Sequence, residues 1–451
     1  MSEFPHYMAL SFSDQEIDKE LLSQTQAQSC VYEKVEWSVA NAAGEMERRG
    51  LRYGENPTQP AVVYRPINGN LILAGIEYVR EGQGYLTGGL DEEAFIRFGK
   101  HPSKTNLTDI DSGLAILKHL SSEPAAIIMK HNNPSGAAIG ATIADAYMKA
   151  WTPDPIAPFG GAIIVNRPLS MEAAEHIASQ YYEVVAAPEF EEGVVEKLAT
   201  RKNLRIVKMK TLERLQDWAA RPFLEMRVLQ DGSIVCQSSY QPVIGEEAYP
   251  IRSLNDFKEH ALIPANIPER DMVGGKLQKT GRLVSIQSQP TEAQWRDLWF
   301  GWIVQTGVTS NSVLLAKNGA TVAIACGGQD RVLISKQCVW KAHETRRALI
   351  ALQKTGVLFD VARQQIKEGK LKPEIIQEIE EQAAQNQYGV EGAVAASDAF
   401  FPFRDGPDAL LDAGVKAIVQ PGGSLRESET IDACNEHGAA MVFTSQRCFR
   451  H

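Results

Sequence analysis

Short apolar, β-branched runs alternate along the chain with stretches whose apolar positions return at helical spacing. From Ala125 onward the spacing predicts strands over Ala126–Met129, Ala162–Val165, Val184–Ala187 and Leu204–Val207. Helices are predicted over Thr142–Trp151, Ser170–Tyr181 and Glu191–Thr200. This rhythm reads as α/β with largely parallel pairing. A second lobe starts near Thr211. It holds a predicted hairpin over Phe223–Ser238, turning at Asp231-Gly232, and another turning at Asn318-Gly319 between Val313–Leu315 and Thr321–Ala325. Pro264–Pro290 shows no clear period and reads as a long loop or insertion. The alternation then resumes: strand Ala393–Ala396, helix Pro407–Ala413, strand Val415–Val419, helix Ser424–His437, strand Ala440–Thr444. No internal sequence repeat or low-complexity tract is visible, so two lobes of like design rest on rhythm alone.

Length fits that division, because 451 residues exceed what one core holds, about 250 to 300 residues. A hydrophobic fraction of 44% and a charged fraction of 23% are those of a globular protein. The formal charge of -10, from 46 basic and 56 acidic side chains, supplies no general attraction to nucleic acid or an anionic membrane. Neither is expected as a partner, and an anionic ligand needs a locally positive pocket. Six cysteines without a C-x-x-C pair fit a reducing, cytoplasmic setting. Met1–Glu20 lacks the basic and apolar regions of a signal peptide, and no run reaches the ~18 apolar residues that cross a bilayer.

Several segments carry candidate chemistry. Lys130-His131-Asn132-Asn133-Pro134-Ser135-Gly136 falls where the first apolar strand ends and a helix is expected to begin, a place suited to proton transfer and anion stabilisation. A solvated turn accounts for the same residues. Phe159-Gly160-Gly161 allows close backbone approach or simply a turn. Asn311, in Ser310-Asn311-Ser312, carries an amide able to donate to an oxyanion; Ser and Asn also form turns. Arg331, after the second hairpin strand, suits a carboxylate or phosphate, or plain surface. In Ser397–Asp405, Phe400, Phe401 and Phe403 around a proline make a stacking platform with Asp405 as hydrogen-bond acceptor; a core cluster is the bland alternative. Pro421-Gly422-Gly423-Ser424 opens a predicted helix, an anion-binding geometry that capping by Ser424 explains equally well. Arg52-Tyr53-Gly54 and Arg447 are further phosphate candidates. The zinc-deaminase, Walker and zinc-protease signatures are absent, and Gly274-Gly275-Lys276 is too short for a Walker loop.

In order, these pieces resemble the aminoimidazole-carboxamide ribonucleotide (AICAR) transformylase domain of the bifunctional purine biosynthesis protein, from Leu51 to His451. The residues carrying the resemblance are Leu51–Pro57, Lys130-His131 with Pro134 and Gly136, Phe159-Gly160, Ser310–Ser312, Ala316–Gly319, Ser397–Asp405 and Arg447–His451. The resemblance implies two tandem cytidine-deaminase-like α/β lobes without catalytic zinc: an extension over residues 1–50, a first lobe over 51–210 and a second over 211–451. It also implies a homodimer with active sites at its interface. By similarity His131 accepts the proton of the substrate amine, and Lys130 and Asn311 stabilise the transition state. Arg52, Tyr53, Gly160, Glu183, Phe400 and Arg447 contact AICAR, while Arg331, Val332, Phe403, Asp405, Ser424 and Leu425 lie near the folate. The co-substrate is 10-formyltetrahydrofolate; a monovalent cation is a further candidate, and no metal ligand is expected.

The chain departs from the family pattern in three places: Thr306 stands where many relatives have a lysine, Gly328 and Asp330 alter the segment before Arg331, and Glu183 replaces an aspartate of some relatives. The cyclohydrolase domain that precedes this one in the family has no counterpart in the fifty or so residues before Leu51, so no ring closure to inosine monophosphate is expected. Two competing readings are a catalytically silent dimer that binds purine precursors or folate, and an enzyme of the same fold with another amine or formyl donor.

Overall fold

The computed structural model describes residues 7–12, 28–40, 44–73, 75–79, 84–273 and 276–451. The expectations on Gly274-Gly275 and on most of Met1–Glu20 lie outside these residues. A mixed sheet of 11 strands dominates. In chain order its strands are β1 (Phe95–Arg97), β2 (Ala125–Lys130), β3 (Asn133–Ile139), β4 (Ala162–Val165), β5 (Val184–Ala187), β6 (Arg205–Lys208), β7 (Val313–Lys317), β8 (Ala320–Ala325), β9 (Val394–Ser397), β10 (Ala417–Gln420) and β11 (Ala440–Phe443). Across the sheet they run β11-β10-β9-β7-β8-β3-β2-β4-β5-β6-β1. The helices that frame it are α1 (Lys104–Leu117), α2 (Ile143–Trp151), α3 (Met171–Ser179), α4 (Val194–Ala199), α5 (Glu292–Gln305), α6 (Arg331–Thr355), α7 (Asp405–Asp412) and α8 (Glu427–Glu436).

Pairing is parallel along β4-β5-β6 and β9-β10-β11, but β2 is antiparallel to β3 and β4, and β7 to β8 and β9. The expectation of a largely parallel sheet is thus corrected. Two-residue turns join β2 to β3 and β7 to β8, and a connection that short forces antiparallel neighbours.

Read outward from the middle, the sheet contains the same arrangement twice. The series α1-β2-β3-α2-β4-α3-β5-α4-β6 is matched by α5-β7-β8-α6-β9-α7-β10-α8-β11. Both leading helices have 14 residues and open with a reciprocal cap, Ser103 with Asn106 and Thr291 with Gln294. The halves meet where β3 lies antiparallel to β8, through the pair Ala138↔Ala320, the Ile139 N–H on Gly319 O (2.8 Å) and the Thr321 hydroxyl against Ala137. One half is therefore turned over relative to the other. The amino ends of β4–β6 share a sheet edge with the carboxyl ends of β9–β11.

One hydrophobic core runs beneath α1 and α5 across both halves, from Val35 and Trp37 through Ile127 and Trp302 to Val442 and Cys448. On the opposite face each half has its own core, under α2–α4 and under α6–α8. This two-sided cover explains why Ala162–Val165 and Val184–Ala187 are buried at every position.

Other expectations change too. Lys130–Gly136 does not lead into a helix: His131 and Asn132 form the turn of a hairpin, and Asn133–Ile139 is β3. Pro134 and Ser135 escape the usual penalty because the register shifts by a bulge between Pro134 and Gly136. Pro264–Pro290 is no loop but carries the hairpin Ile267–Val273 with Lys276–Val284, whose second strand is exposed except at its last residue. Exposure of both its faces is why no alternation shows. Arg331 does not trail a strand but begins the 25-residue α6, with Asp330 as its N-cap accepting from Leu333 N at 2.7 Å. Helix α8 begins at Glu427, beyond Ser424, whose hydroxyl accepts from Arg426 N instead of capping the first turn.

Gly136 shows how tightly β3 meets α2: a Cβ there would lie 1.9 Å from Ala150 O. Gly136→Ala is expected to destabilise the chain by at least the roughly 1–3 kcal/mol of an overpacked core, read as a lowered urea midpoint. An unchanged midpoint would mean that α2 yields freely.

Candidate active site

The β2–β3 turn is the focus. His131 (φ 54°) and Asn132 (φ 62°) both occupy the left-handed region, as a two-residue turn matching the twist of its strands requires. Asn-Gly is the favoured pair for such a turn, so an imidazole there carries a conformational cost of roughly 1–2 kcal/mol. Two bonds offset it. Asp109 of α1 accepts from Asn132 N at 2.7 Å, and the Asn133 side-chain oxygen accepts from Thr309 N at 2.8 Å. The turn lifts the His131 ring into solvent on the single chain, while the Lys130 ammonium donates to Phe159 O at 2.6 Å.

Asp109 is the anionic centre behind the turn, with His131, Lys130 and Glu183 all close enough to act on its charge. Burial pushes its carboxyl above the usual carboxylate range, against the Asn132 N–H and the cations that pull it down; Glu183 adds to the rise. Glu183 precedes β5, accepts from Asn106 Nδ2 at 2.8 Å, and faces the buried Arg205 at 3.6 Å. Arg205 in turn has Arg52 and Tyr53 among its charged and polar neighbours. Arg52 donates to the Tyr53 hydroxyl, and the backbone of both is tied to Pro102 and Lys104. Gly160 (φ 75°) hydrogen-bonds Tyr181 O at 2.8 Å, beside Phe159 against Tyr181 with ring centres 4.8 Å apart. The structure thus gathers Arg52, Tyr53, Lys130, His131, Gly160 and Glu183 at one sheet edge, where the carboxyl end of β2, the position the sequence predicts for Lys130-His131, meets the amino ends of β4–β6.

From the other half, the segment before β7 reaches the same place. Besides the Asn133–Thr309 bond, Arg450 straps it to the turn: its guanidinium donates to Asn132 O (3.2 Å), Gly307 O and Ser112 Oγ (2.8 Å), and Ser310 and Arg450 are joined by two further hydrogen bonds. Asn311 is oriented from behind. Arg331 Nη2 donates to its side-chain oxygen at 2.9 Å, while Nη1 donates to Ser312 O, Ser397 Oγ (both 3.0 Å) and the carboxylate of Asp398. Because the guanidinium can only donate, it holds the amide oxygen and leaves the Asn311 NH2 as the group available to donate. Both Arg331 and Asp398 are buried. Arg331 is thereby a positioning group for Asn311.

The phenylalanine segment divides. Phe401 is fully buried in the core, while Phe400 and Phe403 are exposed, with the Arg426 guanidinium 5.5 Å from the Phe403 ring centre. Asp405 is exposed at the start of α7, Val332 is half-buried in the first turn of α6, and Ser424 and Leu425 sit in the β10–α8 loop, where Ser424 Oγ approaches Pro402 O at 3.4 Å. These belong to the carboxyl ends of β8, β9 and β10, and Arg447, which lies over Phe449 at 4.7 Å, follows the carboxyl end of β11. Thr306, at the departure from the family pattern, ends α5 with its hydroxyl on Ile303 O. The sequence reading missed Asp109, Asn106, Arg205, Asp398 and Arg450. The Ser103-x-x-Asn106 cap was the one local signal pointing to α1. Among the described residues no group of His, Cys, Asp and Glu is placed to hold a metal, and no helix is long and apolar enough to cross a membrane.

Asp109 gives a test of the turn. Asp109→Ala removes the acceptor for Asn132 N, at a cost of about 1–3 kcal/mol. It is expected to lower kcat more than it raises KM, with Asp109→Asn recovering most of the loss. Equal activity in the alanine variant would show that the turn holds its shape unaided.

Sheet and site residues together define an α/β protein of two like halves with an imidazole- and ammonium-bearing turn at their junction. The chain belongs to the AICARFT/IMPCHase bienzyme family, whose model matches residues 6–262 and 267–341. It is similar to the bifunctional purine biosynthesis protein PurH of Magnetococcus marinus, 32% identical over 406 residues, covering 89% of this chain and 59% of that relative. The PurH proteins of Acidithiobacillus ferrooxidans (34% over 401 residues; 89% and 58%) and Chlorobaculum parvum (32% over 403 residues; 89% and 59%) are similar to the same extent. The chain spans about three-fifths of the length of these relatives.

Proposed function

We propose that the chain transfers the formyl group of 10-formyltetrahydrofolate to the 5-amino group of AICAR, as a step of purine biosynthesis. The observation that carries this reading is the junction itself: Lys130 and His131 from one half are tied by Asn133 and Arg450 to the segment bearing Asn311 from the other.

An amine conjugated to a carboxamide is a poor nucleophile, so it needs a base as it attacks the formyl carbon. The His131 imidazole takes the amine proton, a role that contributes typically ~10² to 10⁴-fold. As the new C–N bond forms, the formyl oxygen becomes an oxyanion, stabilised by the Lys130 ammonium and the Asn311 NH2. The bond from the formyl carbon to the folate nitrogen then breaks, with Lys130 giving that nitrogen its proton. Arg52, Tyr53, Gly160, Glu183, Phe400 and Arg447 bind the ribonucleotide; Val332, Phe403, Asp405, Ser424 and Leu425 bind the folate, with Arg331 acting through Asn311. We assign no residue to a monovalent cation and no zinc to the site.

The reading includes two cytidine-deaminase-like lobes, over 51–210 and 211–451, and a homodimer that closes each cleft. The exposed apolar side chains of Phe159, at the amino end of β4, and of Phe400, Phe403 and Leu425, at the carboxyl ends of β9 and β10, lie along one sheet edge and support such a cover. It also includes the absence of ring closure.

A spectroscopic assay of tetrahydrofolate release tests the whole. Release that depends on AICAR is the expected result. No release with both substrates present favours a silent binding protein, and release with a different amine moves the activity to another acceptor. Inosine monophosphate formed by the pure chain would overturn the claim on ring closure.

A further inference from the structure

The second half carries a copy of the catalytic turn in which the proton-transfer groups are exchanged. Lys317 ends β7 as Lys130 ends β2, and the turn that follows, Asn318-Gly319 (φ 55° and 70°), repeats the left-handed pair of His131-Asn132. Behind it Asp297 stands at the sixth position of α5, as Asp109 does in α1, and accepts from Asn318 N and Gly319 N at 2.9 and 2.7 Å. Each lysine donates to the carbonyl three residues ahead of a neighbouring strand of the sheet, Lys317 to Glu391 O ahead of β9 at 2.5 Å and Lys130 to Phe159 O ahead of β4 at 2.6 Å. Ahead of the strands, Asn166 Oδ1 accepts from Ala125 N at 2.8 Å, as Asp398 Oδ1 does from Ser312 N at 3.2 Å. In this correspondence Asn318 replaces His131 and Pro124 replaces Asn311. The copy keeps the lysine and the framework but has neither a base nor the amide.

A cavity of about 410 Å³ opens beside this second turn, between α2 and α6. That size is within the range of small-molecule sites, ~300 to 1,000 Å³. Lys149, Lys317 and Arg346 line it, no carboxylate does, and its apolar wall comes from Met148, Val322 and Leu349. Arg346 Nε is buried without a hydrogen-bond partner, a donor whose burial is costly until something accepts from it. Lys149 shares its charge with Asp145 at 2.8 Å, so the excess falls on Lys317 and Arg346. On a chain with formal charge -10, three cations around an apolar hollow are a local reversal suited to an anion with an apolar body.

We propose that this cavity is a second, non-catalytic ligand site that takes a small organic monophosphate of mononucleotide size, the phosphate at Lys317 and Arg346 and the body against Met148, Val322 and Leu349. The ligand is held but not transformed, because the turn beside it carries an amide where the first carries an imidazole.

Calorimetric titration of the full chain with AMP tests this, with adenosine and inorganic phosphate as controls. The expected result is saturable AMP binding that Lys317→Gln and Arg346→Gln each weaken at least tenfold, that the half-buried substitution Lys149→Gln weakens severalfold, and that Lys130→Ala leaves in place. Both controls bind at least tenfold more weakly. AMP binding that survives all three substitutions, or disappears in Lys130→Ala, would assign AMP to the first turn and overturn the proposal. Phosphate binding as tightly as AMP would overturn the requirement for an organic body. Melting temperatures separate misfolding from lost contacts, and Lys149→Gln, at a partly solvated position, keeps the test open if a deeper variant unfolds.

Discussion

His131→Ala is expected to reduce formyl transfer by about 10² to 10⁴-fold, the usual worth of a positioned general base, while AICAR binds within a few-fold of the parent affinity. The two effects separate because the imidazole stands on the turn, exposed and without a structural partner among the described hydrogen bonds, whereas ribonucleotide contacts are assigned to Arg52, Tyr53, Glu183 and Arg447. Alanine also tolerates the left-handed turn no better than histidine does, so His131→Asn is the informative companion: asparagine suits that backbone and cannot act as the base. Single-turnover formyl transfer and calorimetric AICAR binding measure the two quantities. Turnover in both variants equal to the parent would remove His131 from the chemistry.

The second large effect is expected at Arg331. Asp398 is fully buried, its Oδ2 lacks a hydrogen-bond partner, and its other oxygen pairs with Arg331. Removing one member of a buried ion pair leaves the other uncompensated, a loss of about 3–5 kcal/mol. Arg331→Ala should lower the stability read from urea unfolding by that amount, and kcat with it, because the Asn311 amide loses the donor that fixes its orientation. Arg331→Lys keeps the charge but not the fork that reaches Ser312, Ser397, Asp398 and Asn311 together. It should regain part of the stability and little of kcat, with KM for the folate nearly unchanged. A lysine variant whose defect is confined to folate KM would instead make Arg331 a folate contact, as the sequence resemblance implies.

How much of this was legible depended on burial and on turn chemistry. The strands Ala162–Val165 and Val184–Ala187 were read to the residue because cover on both faces makes them unbroken apolar runs. The β7–β8 hairpin was read because Asn-Gly is the favoured pair for a two-residue turn. The β2–β3 hairpin, the same structure, was missed because His-Asn replaces that pair, and because Pro134, Ser135 and Gly136 look like a helix approach while in fact accommodating a bulge. Rhythm also carries no sign of direction, so the antiparallel seating of β2 against β4 and of β7 against β9 stayed hidden. In the site, Lys130, His131 and Asn311 were found as chemistry-bearing types in short motifs. Asp109, Arg205, Asp398 and Arg450 were not, since each acts through partners distant in sequence: Arg450 reaches Ser112 across 338 residues. Arg331 was noticed for its charge, and only its surroundings show that the charge is directed inward.

The junction between the halves sets a limit on how this protein can vary. At the centre of the sheet the two halves exchange little backbone bonding, yet a common hydrophobic layer under α1 and α5 passes from one to the other without a break. Severing the chain near Thr211 would strip that layer from both fragments at once, so each repeat, though laid out like a domain, depends on its twin for a dry underside. Substitutions beneath one turn are therefore felt beneath the other, and the two have had to diverge in chemistry while remaining mechanically a single body.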